Sequence, residues 1–346
     1  MARFIDYVLL FTATAIIIYV LVRMINKKIA DKGSSDPPYN DSVNSAQMKQ
    51  LYSIEQSSQG VSIKNASFPT TQNNALRNFV IKSSFNSAYT GGYMNLDMIK
   101  YVLRRGCRYL NFQVFIKDNT PIVAYSEDDM NNSFTSNPPA LSLGGVFSTI
   151  NMNAFNEHSP NPNDPIFIHL QIMSSLSTAN AMIAQSIAAS FDDNLYKNPT
   201  TGLAVPIDLN TQMNRLKGKV IILADSSRLP HSPAPAGQSA ENQGAMKLQD
   251  YVNLFVGENN VRLYTDNQLT AQPINPPDPF VYNFSIVYPN LGFFYGINNS
   301  NADYLIRNYG AQVIGQAFYN NDSNLKQYEN IFDKFQTAFI PIASYL

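Results

Sequence analysis

The sequence predicts an α/β protein: a TIM-type (β/α)8 barrel with some irregular units, preceded by a single N-terminal transmembrane helix. Beyond about residue 75, short runs rich in β-branched and aromatic residues alternate with stretches of helical spacing. Several runs, such as PIFIHLQI and KVIILAD, are almost continuously apolar, as strands buried on both faces of a parallel sheet are. About 270 residues is a usual barrel size. The alternative, a doubly wound open sheet, is disfavoured because no Gly-rich phosphate motif follows any strand.

The first predicted element is a membrane anchor. Residues 7–22, YVLLFTATAIIIYVLV, carry no charge and would form a helix of about 24 Å. Apolar neighbours extend it to residues 4–25, enough to cross a hydrocarbon core of about 30 Å. Asp6 before the apolar run, and the lack of a small-residue cleavage pattern after it, disfavour a cleaved signal peptide. A buried core helix is disfavoured because the polar tract that follows leaves it no core to join.

The charges beside this segment predict its orientation. Four basic residues follow it and outweigh Arg3 and the amino terminus, so the positive-inside rule places the bulk of the chain on the cytosolic side; they are Arg23, Lys27, Lys28 and Lys32. We therefore assign residues 1–32 to an anchor with a basic flank. Residues 33–74 are rich in Ser, Asn, Gln and Pro and predict a flexible polar tether with one short helix near 46–54. The barrel takes residues 75–346.

Within the barrel, strands and helices are predicted in turn. The strand NFVIKSSF precedes the helix NLDMIKYVLRRG, in which Leu96, Ile99, Leu103 and Cys107 follow helical spacing. The remaining predicted strands are RYLNFQVFI, PIVAYS, PIFIHLQIM, KVIILAD, VRLYT, FSIVYP and AQVIGQAF. The remaining predicted helices are LGGVFSTINMNAF, TANAMIAQSIAASF, NADYLIRNYG and NLKQYENIFDKF.

The composition excludes some functions and suggests a source. The formal net charge is −1 and only 14% of residues are charged, so no basic surface exists to bind nucleic acid. Cys107 is the only cysteine, which excludes an intrachain disulfide and favours a reducing or cytosol-facing location. Asn occurs 40 times, a bias that suggests the AT-rich genome of a large DNA virus or a protist.

Six segments along the chain resemble one enzyme family. In order, they are IKSSFNSAYTGG, VLRRGCRYLNFQVF, PIVAYS, PIFIHLQI, RLKGKVIIL and YGAQVIGQAFY. Their order and spacing resemble the X and Y halves of phosphatidylinositol-specific phospholipase C, over about residues 79–346. The most specific elements are Gly-Cys-Arg at 106–108 and Leu-Lys-Gly-Lys at 216–219.

The resemblance implies catalytic roles for positions that here hold other residues. The family's general-base histidine lies in a Ser-Ser-His-Asn element, and its position is Phe85, between the matching Ser83, Ser84 and Asn86. The position of the general-acid histidine, at the end of PIVAYS, holds Tyr125. Acidic calcium ligands of the family, beside Asn86, correspond to Asn111, Gln113 and Gln171, and a phosphate-binding Lys corresponds to Leu223.

These replacements predict loss of both metal binding and catalysis. Calcium affinity rises with the number of carboxylate ligands, and amides supply oxygen without charge, so we expect calcium binding to be lost and no cofactor to be needed. General acid and general base catalysis each contribute roughly 10²–10⁴ in rate. Phe85 cannot titrate, and a tyrosine with a reference pKa near 10 is a poor acid at neutral pH.

Three histidines are available to replace the missing pair. His158 and His231 lie in polar, proline-containing loops and are predicted to be solvated. His169 is the candidate, because strand alternation places Phe167, His169 and Gln171 on one face, which the resemblance turns toward the barrel interior. A hydrogen-bonded interior histidine without catalytic function is the simpler interpretation.

Three function hypotheses follow. The first is a membrane-anchored, catalytically inactive phospholipase-C-like barrel that acts as a structural or interaction protein with protein partners, in the virion or inner membrane of a large DNA virus. The second is a phosphodiester hydrolase with a rearranged site that includes His169. The third is a non-catalytic module that binds lipid head groups, which the loss of the phosphate Lys at Leu223 disfavours.

Overall fold

Strands and helices alternate along the chain in the computed structural model. It describes residues 47–53, 62–68, 74–125, 140–174, 176, 178–225, 246–270, 283–290 and 297–346. The strands are β1 (Phe79–Ile81), β2 (Ser83–Ser84), β3 (Tyr109–Lys117), β4 (Thr120–Ala124), β5 (Leu141–Ser142), β6 (Ile166–Ile172), β7 (Val220–Asp225), β8 (Leu254–Val256), β9 (Val261–Thr265), β10 (Phe284–Tyr288), β11 (Val313–Ile314) and β12 (Phe339–Pro341). The helices are α1 (Leu96–Arg104), α2 (Leu143–Ala154), α3 (Ala179–Ser190), α4 (Asp266–Thr270), α5 (Ala302–Tyr309), α6 (Ser323–Phe335) and α7 (Ile342–Tyr345). Residues 47–53 are also helical.

Local signals explain where the helices begin and end. The Asn95 side chain accepts a hydrogen bond from the backbone of Asp97 at the start of α1. Helix α6 begins in the same way, because the side chain of Asp322 accepts from the backbone of Leu325. Helix α5 ends at Gly310, whose φ of 58° is left-handed. The helix predicted from the spacing around Leu96 is α1, and its apolar face is buried.

The strands form two sheets that share one interrupted strand. A seven-stranded sheet has the order β5-β4-β3-β6-β7-β8, with β2 paired to β3. A five-stranded sheet has the order β12-β1-β11-β10-β9. Between β1 and β2, the carbonyl of Lys82 accepts from the backbone N–H groups of both Arg108 and Tyr109, so the strand leaves one sheet and joins the other there. Strands β2, β3, β6, β7 and β8 pair in parallel, as do β1, β11, β10 and β9.

The predicted α/β class is confirmed, but the described strands do not form a sealed eight-stranded barrel. Strands β8 and β9 are joined by residues 257–260 and share no strand pairing. Asn259 and Asn260 in this turn have φ of 44° and 66°, and the N–H of Gly257 donates to the carbonyl of Val261. The connection between β8 and β9 is a tight turn of four residues. Two adjacent parallel strands need a longer connection, of about a dozen residues or more. The described strands therefore form an open barrel, and we call the end where its parallel strands finish the mouth.

Two stretches of the predicted tether pack against the open barrel. Met48 and Leu51 of the helical stretch 47–53 are buried. Residues 62–68, which we call the strap, cross the opposite end from the mouth and bury Ile63 and Phe68. The short helix predicted near 46–54 is present at 47–53. That this helix and residues 62–68 pack against the barrel was not predicted, because isolated apolar residues without periodicity gave no signal of packing.

Hydrogen bonds hold the strap in place. The N–H of Lys64 donates to the carbonyl of Gln336 at 3.0 Å, and the N–H of Ala66 donates to Oδ1 of Asp164 at 2.7 Å. Gly106, with φ of +81°, lies under Ile63, and a Cβ at this position would come within 2.9 Å of the isoleucine Cγ2. The strap is thus part of the packed unit.

A buried arginine organises the same end of the barrel. The guanidinium of Arg108 is fully buried and donates to the carbonyls of Ala154 and Asn161 and to Oγ of Ser159. Burial lowers the pKa of Arg108 to about 10, while burial raises the pKa of Asp164 nearby. These contacts fix the loop that enters β6.

No helix among the described residues is long and apolar enough to cross a membrane. The predicted anchor over residues 4–25 and its basic flank lie outside the described residues.

The C-terminal helix α7 is attached through a carboxylate that gives a pH prediction. The Tyr345 hydroxyl donates to Oδ1 of Asp303 at 2.5 Å and, with Arg307, lowers the pKa of that carboxyl. A lowered folded-state pKa contributes stability that is present above the unfolded value, near 3.9, and is lost as pH falls through the folded value. We expect wild type to melt at a higher temperature than Tyr345→Phe at neutral pH, and the difference to shrink in acid. A difference that stays constant with pH would contradict this coupling.

Candidate functional site

Polar side chains meet inside the open barrel on β3, β6 and β7. These strands pair in register, with Asn111 opposite His169 and His169 opposite Leu223. Paired residues project to the same face, and alternate residues along each strand share it. Gln113 and Gln171 therefore form the next layer toward the mouth, and they are also in register. The predicted inward face of Phe167, His169 and Gln171 is thus the face that meets the second sheet.

The side chain of Asn111 bonds to the side chain of Gln171 and to the backbone of Asn86, and we call these three residues the amide chain. Nδ2 of Asn111 donates to Oε1 of Gln171 at 3.0 Å, and Oδ1 of Asn111 accepts from the backbone N–H of Asn86 at 3.3 Å. Asn86 itself adopts a left-handed φ of 45°, a conformation that asparagine tolerates better than most residues. Gln113 is buried beside this group. Every member is uncharged.

His169 has partners on both ring nitrogens. Its Nε2 lies 3.0 Å from Oδ1 of Asp225, and its Nδ1 lies 2.5 Å from the hydroxyl of Tyr288, which reaches across from the five-stranded sheet. Since a carboxylate only accepts hydrogen bonds, Nε2 donates to Asp225, and the Tyr288 hydroxyl is the partner of Nδ1. The ring is fully buried.

The tyrosine beside His169 stays protonated. Burial raises the pKa of Tyr288 well above its ordinary value, and the neighbouring Tyr109 raises it further. The two hydroxyls are 3.2 Å apart, and burial also raises the pKa of Tyr109. A carboxylate, an imidazole and two neutral phenols therefore form one continuous network, which is buried except for the partly exposed Asp225.

Phe85 occupies the interior next to this network. It is 4% exposed, and its ring lies 4.9 Å from that of Tyr288. Gly315 leaves room for the pair, because a Cβ there would come within 2.8 Å of the Tyr288 ring and 3.2 Å of the Phe85 Cβ. The position corresponding to a general base is filled by a packed hydrocarbon.

Tyr125 lies in a second aromatic group at the mouth, which we call the tyrosine cluster: Tyr89, Tyr125 and Tyr319. The Tyr125 ring stacks on Tyr89 at a centroid distance of 4.4 Å, and Tyr89 meets Tyr319 edge-on at 5.0 Å. Tyr125 is 4% exposed. Both positions that the resemblance assigns to catalytic histidines are thus engaged in aromatic packing.

The structure separates the remaining predicted residues. Leu223 is fully buried next to His169 in the β6–β7 register, so a hydrophobic side chain fills the position assigned to a phosphate-binding Lys. His158 is exposed, as predicted, whereas His231 lies outside the described residues. Asn111 and Gln171 are in direct contact, and Phe85 and His169 share Tyr288 as a neighbour.

Sequence reasoning did not single out Asp225 and Tyr288. Asp225 is two residues beyond Leu223 on the same strand, so the alternation that places Leu223 beside His169 also pointed to Asp225. Tyr288 is the last residue of β10. A polar side chain at the end of a parallel barrel strand is a recognised signal of a functional residue.

The interior does not suit calcium. A hard cation takes six to eight oxygen ligands and gains affinity from carboxylates. Among the contacts described above, Asp225 is the one carboxylate near the amide chain, and it is hydrogen-bonded to His169. Within the described ranges, no group of three or more His, Cys, Asp or Glu side chains is arranged to hold a metal ion.

Comparisons with known proteins agree with the motifs. Residues 72–225 match the family model described as phosphatidylinositol-specific phospholipase C, X domain, which spans β1 to β7 and the positions discussed above. A search among curated proteins finds no significant match.

Solved structures share the fold. PLC21 of L. pealei aligns over 88% of this chain and 44% of its own, with 17% identity and a TM-score of 0.61. PLC21 of S. officinalis aligns over 79% of this chain and 37% of its own, with 17% identity and a TM-score of 0.59. The chain thus spans less than half the length of these two proteins.

Proposed function

We propose that this chain, which has the phospholipase-C-like phosphodiesterase fold and an X-domain-like segment, is a membrane-anchored, catalytically inactive member of that fold. It would act as a structural or interaction protein. One observation carries the proposal: the two positions that the resemblance assigns to catalytic histidines hold Phe85 and Tyr125, each packed against another aromatic ring. The Phe85 ring has no proton to exchange, and a tyrosine such as Tyr125, with a reference pKa near 10, is a poor acid at neutral pH.

The amide chain supports the same proposal. The positions that the resemblance assigns to acidic calcium ligands are occupied by Asn111, Gln113 and Gln171, and two of these bond to each other. Their oxygens are neutral, and Oε1 of Gln171 already accepts a hydrogen bond. Calcium therefore has little to gain by displacing that contact.

The membrane and source assignments rest on sequence. The apolar segment over residues 4–25 supports a single-pass anchor with the barrel facing the cytosol. The Asn-rich composition supports a large DNA virus, and we place the protein in its virion or inner membrane, in contact with protein partners. Alkaline carbonate extraction tests the anchor, because release of the full-length protein into the supernatant would exclude a spanning helix.

The activity test uses the full-length protein in detergent or vesicles. We expect no release of inositol phosphates from phosphatidylinositol or its phosphorylated forms, with calcium or with a chelator, while an active phospholipase C in the same vesicles releases them. General acid and general base groups contribute roughly 10²–10⁴ each, so their joint loss should take turnover below detection. Turnover that co-purifies with the protein would overturn the proposal.

A second function is favoured by the Asp225–His169 contact. A carboxylate that orients a histidine is the arrangement of a general base, and it lies on strands β6 and β7 toward the mouth. In this alternative the chain hydrolyses a phosphodiester through a rearranged site. Activity lost in both His169→Ala and Asp225→Asn would support it, and activity retained in both would assign any turnover to a contaminant.

Head-group binding is the least supported function. A phosphate ligand calls for cationic partners, and Leu223 and the amide chain supply none. Flotation of the protein without residues 1–30 on vesicles that contain phosphoinositides tests it, with vesicles of neutral lipid as the control.

A further inference from the structure

A groove of about 470 Å³ opens at the mouth between the helical residues 47–53 and two rim loops. The loop after β2 contributes Thr90 and Gly91, and the loop after β11 contributes residues 319–321. This volume is in the range of sites that bind small molecules. None of the residues of the amide chain or of the His169 network lines it.

The described residues of the lining are polar but include no ionised group. They comprise side-chain amides, a threonine hydroxyl, a tyrosine, a glycine and one aliphatic residue. No Asp, Glu, Lys, Arg or His is among them. A phosphate, a carboxylate or an ammonium ligand would find no opposite charge here, so an uncharged ligand suits the groove.

The amides are placed to bind hydroxyl groups. Within the described part of the chain, the side chains of Gln50 and Asn321 make no hydrogen bond, and the Gln47 amide uses its oxygen to accept from Thr90 at 2.7 Å. Gln50 and Asn321 therefore each offer donors and an acceptor, which matches a ligand whose every hydroxyl donates and accepts. The amide nitrogen of Asn320, also in the lining, is engaged with Ile297 and Asp322.

One wall is aromatic and held in place. Tyr319 belongs to the tyrosine cluster and is oriented by its edge contact with Tyr89. Gly91, with φ of +95°, brings its loop close to this ring, since a Cβ there would lie 3.3 Å from Tyr319 Cδ2. Amides beside a fixed aromatic ring suit the hydroxyls and the apolar ring faces of a sugar.

We propose that this groove binds an uncharged carbohydrate. An extended peptide is the competing ligand, because its backbone also donates and accepts. Peptide grooves gain specificity from pockets for alternate side chains, whereas Leu51 is the single aliphatic side chain among the lining residues that the structure describes. The carbohydrate is therefore favoured. The site does not depend on whether the barrel is catalytic.

The test applies the full-length protein to an array of neutral oligosaccharides, with an array of extended peptides in parallel. The protein is kept in a detergent without a sugar head group, which would itself compete. We expect retention on the oligosaccharide array, and calorimetry with the best-bound glycan should then show at least a tenfold loss of affinity in Gln50→Ala and in Asn321→Ala. The control is Asn308→Ala, an exposed amide outside the groove.

Three results would overturn the proposal. They are no retention of any glycan, retention that both groove variants leave unchanged, and retention on the peptide array alone, which would assign the groove to a protein partner. Because neither Gln50 nor Asn321 makes a side-chain hydrogen bond in the described structure, their loss should leave the melting temperature unchanged, and this is checked first.

Discussion

Phe68→Ala is expected to lower the free energy of unfolding by about 3–5 kcal/mol, as truncation of a buried phenylalanine does. The ring is 5% exposed and meets Phe79 and Phe339 edge-on at centroid distances of 5.7 and 5.3 Å. Lys217 covers it, with Nζ 5.8 Å from the ring centroid. Removal leaves a cavity between the strap and strands β1 and β12, which cannot collapse because the strands are fixed by pairing.

Chemical denaturation of the full-length protein measures this loss. Phe155→Ala is the matched control, because Phe155 is only partly buried and should cost less. A chain that begins at residue 75 removes the whole strap, and we expect it to be largely unfolded. Equal denaturation midpoints for wild type and Phe68→Ala would show that the strap adds nothing to the barrel.

Asn111→Asp is expected to lower stability by about 3–5 kcal/mol at neutral pH, the effect of an unpaired buried charge. The side chain is fully buried, and its amide donates to Oε1 of Gln171. A carboxylate there would face an acceptor and lose its hydration. The variant therefore tests whether the interior tolerates a calcium-ligand type of residue.

The effect should depend on pH in a defined direction. Burial should raise the pKa of the new carboxyl above the unfolded value, near 3.9. Stability of the variant is then highest below the unfolded pKa and falls as pH rises through the folded pKa. Thermal melts across this range, compared with wild type, measure the change.

A matched variant, and melts with added calcium, make the Asn111→Asp prediction specific. Asn198→Asp places the same change on an exposed turn, where the side-chain oxygen that accepts from the backbone of Thr200 and Thr201 is retained, so little effect is expected. Calcium should not rescue Asn111→Asp. If calcium raised its melting temperature, the interior would still hold a metal ion, contrary to the proposed loss of calcium binding.

Local pattern predicts the elements of this fold well and their closure poorly. The spacing of Leu96, Ile99 and Leu103 predicts α1 because one face of a helix must be buried, and the structure confirms it. In contrast, NFVIKSSF looks like one strand, yet Lys82 divides it between two sheets. That division depends on hydrogen bonds from Arg108 and Tyr109, which no local pattern contains.

In the site, too, contacts between neighbouring strands could be predicted from local pattern, whereas contacts between the two sheets could not. Alternation along β3 and β6 predicts that Asn111 and Gln171 share the interior, and they are hydrogen-bonded. The contact between His169 and Tyr288 joins residues 119 positions apart in opposite sheets. Such a pair depends on how the two sheets face each other, so the histidine's partner could not be read from its own strand.

The interrupted strand also sets an order of events during synthesis. Ser83 in β2 bonds through its hydroxyl to the carbonyl of Ile314, 231 residues later. At roughly 5–20 residues per second, the ribosome needs about ten to fifty seconds to deliver that partner, and β1 stays unpaired on this side meanwhile. The seven-stranded sheet can assemble around β2 and β3 first, while the two edges of β1 wait for β11 and β12. Newly made chains are thus exposed to misassociation at the unpaired edges of β1 until β11 and β12 emerge.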